Sequence, residues 1–170
     1  RAEMLEPTEN ASNELVDIYS YKDDLTGNSI ADPSDYYEVI KACNDFLARA
    51  YTFKQNNPEA IADDNYRALI SSTIRMKAYT YLTIAKVYGE VLWYDDPLEG
   101  KVDQSKFERL DLRQTVKACL SLMDNGYDGV PSNLNISWKD WLDPNTDLAE
   151  SQYRYWDYMT PPYFVLYAEL

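Results

Sequence analysis

The sequence predicts an all-α fold built from antiparallel helix pairs joined by long irregular loops. Three observations predict it. Apolar residues recur at three- and four-residue steps over three long stretches. Glycine and proline stand at the ends of those stretches and not inside them. No segment alternates apolar and polar residues for long, so strand content is expected close to nil.

Residues 1–33 read as an irregular N-terminal segment, broken by Pro7, Gly27 and Pro33, with a short helix around Asn13 to Tyr19. The first strong helix follows Pro33, where Ser34 or Asp35 can accept from free backbone amides. Tyr36, Tyr37, Ile40, Cys43, Asn44, Leu47, Ala50 and Tyr51 form its apolar stripe. Asn56-Asn57-Pro58 ends it, because the residue before proline avoids helical geometry. A longer helix is predicted from Glu59 to Tyr88, with Tyr66, Ile70, Ile74, Lys77, Tyr81 and Ile84 on one side. Gly89 is its expected stop. Residues 90–110 read as a linker with extended character. A third helix opens with Asp111 as cap and closes at Asn125-Gly126. Residues 127–159 read as a loop insertion, with a short helix near Leu148 to Tyr155. A last helix opens at Thr160, with Pro161-Pro162 in its first turn, where proline costs least. The helix pairs within 34–126 resemble tetratricopeptide (TPR) geometry. All of 1–170 is expected to form one helical domain.

Composition narrows the function classes. The net charge is -13, which repels phosphate backbones and speaks against nucleic acid and anionic membranes. There is no histidine, the commonest general base and transition-metal ligand. No apolar run is long enough to span a membrane. Cys43 and Cys119 fall inside helical patterns and read as small buried hydrophobes; spacing alone does not decide whether they pair. The chain opens at Arg1 and stops at Leu170 inside an apolar pattern, so a piece of a longer protein is expected.

Four segments resemble the SusD/RagB family of outer-membrane nutrient-binding lipoproteins. Tyr36 to Leu47 is similar to the family's early helix, with Ile40 and Asn44 four residues apart. Arg75-Met76-Lys77-Ala78-Tyr79-Thr80-Tyr81-Leu82, continuing to Tyr88-Gly89-Glu90-Val91, resembles the R-x-x-A-Y-x-Y-L … Y-G-D-V-P-L signature, with Leu92-Trp93 in place of its Pro-Leu. Asp111 to Asn125 is like the helix after the signature, and Pro162 to Leu170 like the start of the next TPR helix. The resemblance implies a non-catalytic cell-surface protein of the outer membrane, with a lipid anchor outside these residues. It would capture an oligosaccharide or other nutrient and pass it to a SusC-like TonB-dependent transporter. The alternative is a TPR-like protein–protein adaptor or adhesin component without a sugar site.

Sugar binding needs flat aromatic rings beside hydroxyl-matching polar groups. Three places supply both: Trp93, Tyr94 and Asp96 after the long helix; Trp138 and Trp141 in the insertion; Tyr21 and Asp23 near the N-terminus. For each set the structural role weighs more, because rings on loops beside helices more often cap a core than hold a ligand. The pairs Asp23-Asp24, Asp63-Asp64 and Asp95-Asp96 lack the hydrophobic pocket that raises a catalytic carboxyl's pKa. Asp143 to Asp147 alternates oxygen ligands but lacks the glycine and distal glutamate of a calcium loop. No cofactor and no metal site are expected.

Overall fold

The computed structural model describes residues 6–99, 103–134 and 160–170. The chain divides into two compact units, Arg1–Asp35 and Tyr36–Leu170.

The first unit is held by polar contacts. Its helix α1, Asn13–Tyr19, buries no residue. Ser12 caps it by accepting from the Leu15 amide. Asn28 ties the following loop back: its Nδ2 donates to the Glu14 carbonyl, and its Oδ1 accepts from the Ile30 and Ala31 amides.

In the second unit, α2 (Ser34–Asn56) buries Ile40, Cys43, Asn44 and Leu47, all in its first two-thirds. Helix α3 runs Asp63–Tyr88, so it starts four residues after the expected Glu59. The reason is Lys54. Its ammonium donates to the carbonyls of Pro58 and Ile61 and pairs with Asp63 at 2.6 Å. Those carbonyls are satisfied outside a helix, while the Ala60 amide closes a turn on Asn57. Gly89 ends α3 as expected, at φ 81° with its N–H on the Ala85 carbonyl.

Strand content is not nil. Strands β1 (Glu90–Trp93) and β2 (Glu108–Asp111) pair antiparallel, Val91 opposite Leu110. Both of these side chains are buried, and Arg109 pairs with Glu90. Four-residue strands carry too few alternations for a periodic signal. Helix α4 (Leu112–Asn125) starts with a reciprocal cap in which Asp111 accepts from the Gln114 amide and Gln114 accepts from the Asp111 amide. Past it, Tyr127 and Val130 pair across a tight turn inside the expected loop. A side chain at Gly126 would put its Cβ 2.0 Å from the Val130 oxygen, so only glycine fits. Helix α5 (Tyr163–Glu169) begins after Pro161-Pro162 rather than around them, because Pro162 is extended. The short helix expected at Leu148–Tyr155 and the oxygen-rich run Asp143–Asp147 lie outside the described residues.

The core joins Ile40 and Leu47 of α2 to Ile70, Ile74, Tyr81 and Ile84 of α3. Val91, Leu110, Cys119, Met123 and Leu166 complete it. The two cysteines are free and buried, and burial pushes their thiols up to about 11 (Cys43) and about 12 (Cys119). Arg75 is buried in the same body. Its Nη1 donates to the carbonyls of Ser132 and Leu134 and to Ser71 Oγ, and its Nε donates to the Pro161 carbonyl. One guanidinium thereby joins α3 to the chain just after α4 and to the chain just before α5.

Candidate functional site

The loop after α3 was expected to offer rings to a ligand, but the structure uses most of it internally. Trp93 is half-buried and stacks on Tyr81 with ring centres 4.1 Å apart. Its indole N–H donates to Asp95 Oδ2 at 3.0 Å. The other Asp95 oxygen accepts from Lys77 Nζ at 2.7 Å, and that ammonium also lies 5.9 Å from the Trp93 ring. Tyr94 is buried against Phe107, ring centres 5.0 Å apart.

Tyr81 locks the same loop from below. Its hydroxyl accepts from the Tyr94 amide and donates to the Tyr94 carbonyl, which also accepts from Asn44 Nδ2. A helix tyrosine can pack its ring and still send its hydroxyl to the surface. Tyr81 does not, because this loop backbone takes both of its hydrogen-bonding capacities. Burial pushes the Tyr81 phenol far above its ordinary value and that of Tyr94 up to about 12. Trp93 and Tyr94 therefore serve the scaffold. Asp96 remains exposed at the loop's outer end.

The other expected residues lie in the first unit or outside the described residues. Tyr21 and Asp23 belong to the first unit, on an exposed turn where Tyr21 sits at φ 57°. Next to them the Thr26 side chain, and then the Thr26 amide from which Asp24 accepts, lower the pKa of Asp24, and Lys22 pairs with Asp17. Trp138 and Trp141 lie outside the described residues.

What the rigid loop positions is the segment after it. Pro97, Leu98 and Glu99 form one wall of a groove of about 430 Å³. The other wall is the exposed side of α2: Asp45, Ala48, Arg49, Thr52, Phe53 and Asn56, with Asn57 at the end. Phe53 is 50% exposed. Thr52 and Asn57 are tied to their own helix backbone, through the carbonyls of Ala48 and Phe53. Asp45, Arg49 and Glu99 make no ion pair and no side-chain hydrogen bond among the described residues.

Sequence reading passed over this face because it sought rings on loops. The available signal was Phe53, an aromatic residue off the apolar stripe of α2. Among the described residues, no group of three His, Cys, Asp or Glu could hold a metal ion. No described helix is long and apolar enough to cross a membrane.

No protein family, no curated protein and no solved structure matches this chain.

Proposed function

We propose that this chain belongs to a SusD-like capture protein, which binds an oligosaccharide at the outer-membrane surface and hands it to a SusC-like TonB-dependent transporter. The observation that carries the reading is the groove on α2. It sets a half-exposed aromatic ring beside unpaired carboxylate, guanidinium and carboxamide groups on a rigid helix. A pyranose presents an apolar face and planar sets of hydroxyls, which these groups complement. The mostly helical fold is compatible with the reading, and within the family-like signature Arg75 and Tyr81 tie α3 to the segments around it while Gly89 ends it. Apolar side chains also stand exposed on α5, Phe164 at 81% and Val165 at 61%, the kind of surface a partner such as the barrel covers.

That last feature equally favours a second reading, a protein–protein adaptor without a sugar site. A glycan array probed with the intact chain separates the two. Saturable binding to a class of oligosaccharide is expected. No binding to any glycan, with tight binding to a barrel partner, establishes the adaptor. Incubation with the bound polysaccharide is expected to release no reducing ends; their release would replace capture with hydrolysis.

A further inference from the structure

We infer that the α2 groove selects neutral saccharides over anionic ones, with Phe53 as the stacking platform and Asp45, Arg49 and Glu99 as the selecting groups. The inference rests on the capture reading above and adds which residues of this chain set its specificity.

Asp45, Arg49 and Phe53 stand at four-residue steps on one helix, so they rise one above another on the same face. From Asp45 to Asn56 the helix climbs about 16 Å at about 1.5 Å per residue. A linear chain of a few pyranose rings fits that length. Phe53 lies within the row, and its exposed ring can cover the apolar face of one sugar.

The two charged groups above it are the unusual part. An acid followed four residues later by a base is the favourable order for a helix ion pair. Asp45 and Arg49 have that order and do not pair. Their charged ends are therefore available to a ligand. A carboxylate accepts from two adjacent hydroxyls, and a guanidinium donates to two, so both match a vicinal diol.

Charge then sets the selectivity. Two carboxylates, Asp45 and Glu99, face one guanidinium in the groove, and exposed Asp96 stands just before Pro97. The whole chain carries -13. A uronate would meet more negative than positive charge at close range, whereas a neutral sugar carries no such penalty. Added salt reduces the difference, because screening acts over about 8–10 Å at ordinary ionic strength.

Calorimetric titration of the 170-residue chain with maltotriose, cellotriose, xylotriose and trigalacturonate tests this. At least one neutral trisaccharide is expected to bind about 10-fold or more tighter than trigalacturonate at low salt, with the gap narrowing at high salt. Phe53→Ala should weaken the neutral ligand about 10-fold or more. The double variant Asp45→Asn, Glu99→Gln should strengthen trigalacturonate several-fold. Four results overturn the inference: no heat from any neutral probe, equal or tighter binding of trigalacturonate, indifference to Phe53→Ala, or indifference of trigalacturonate binding to the double variant. The capture reading is judged separately: if the array shows saccharide binding while Phe53→Ala changes nothing, capture stands and the site lies elsewhere.

Discussion

Helices α2 and α3 are of similar length, 23 and 26 residues, and treat their polar side chains in opposite ways. Helix α3 draws them inward. Arg75 and Lys77 are 4% and 2% exposed, and Ser71, Ser72 and Thr80 are buried with them. Each is satisfied: Arg75 by carbonyls and hydroxyls, Lys77 by Asp95, Ser72 by the Ala68 carbonyl and Thr80 by the Met76 carbonyl. Helix α2 instead turns Asp45 and Arg49 toward an open groove, where with Glu99 of the loop they make no ion pair and no side-chain hydrogen bond among the described residues. Buried polar groups whose bonds are complete fix a geometry. Exposed ones whose bonds are incomplete are free to exchange water for a ligand. The scaffold and the proposed binding face thus belong to different helices of one unit.

The contrast is broken most forcefully at Arg75. Arg75→Met should cost about 2 kcal/mol or more in urea unfolding, because the carbonyls of Ser132 and Pro161 lose their donor, each buried orphan costing about 1–3 kcal/mol, while the Leu134 carbonyl keeps Ser71 Oγ. A loss below about 1 kcal/mol would show that these carbonyls find other donors easily. Tyr81→Phe should cost about 1–2 kcal/mol, since it strips the buried Tyr94 amide of its acceptor.

The pH dependence sharpens the same point. Tyr81, Tyr94, Cys43 and Cys119 all have pKa values raised by burial. The folded chain therefore holds these protons more tightly than the unfolded one. Their contribution is complete below the ordinary values, about 8.5 for a thiol and about 10 for a phenol. It is lost as pH rises from there through the folded values. Urea midpoints should be level from pH 7 to 8.5 and fall steeply above pH 10. The fall should be shallower in Tyr81→Phe. An unchanged slope would place the alkaline loss elsewhere.

Lys77 offers the informative counter-case. Its partner Asp95 is 62% exposed, so removing the ammonium leaves a carboxylate that water can solvate. Lys77→Met should change stability by less than about 1 kcal/mol, in either direction. A loss as large as that at Arg75 would contradict the distinction drawn between the two cations. Phe53→Ala should be smallest, within about 0.5 kcal/mol, as befits a half-exposed side chain.

Much of the scaffold was legible in the sequence. The Ile40–Leu47 and Tyr66–Ile84 stripes, the Gly89 stop and the Asp111 cap each have a local cause, and local causes are visible in sequence. The β1–β2 pairing was not, because Val91 meets Leu110 across a long connection and each strand is only four residues long. The role of Arg75 was also hidden. Arg75 stands off the expected apolar stripe, and its acceptors at Ser132, Leu134 and Pro161 lie 57 to 86 residues away. The candidate ligand residues were legible only as residue types. Trp93 and Tyr94 looked like ligand contacts because they follow a helix, and the structure commits them to Tyr81, Lys77 and Phe107. The groove begins just beyond them, at Pro97, and its ring comes from a helix rather than a loop.

The chain has four phenylalanines: Phe46, Phe53, Phe107 and Phe164. Fluorine NMR of the fluorophenylalanine-labelled chain, titrated with a neutral oligosaccharide that it binds, reads all four environments at once. The account predicts a saturable shift at Phe53, with Phe107, stacked on Tyr94, left unmoved. Binding that leaves the Phe53 resonance in place, or moves Phe107 instead, would contradict it.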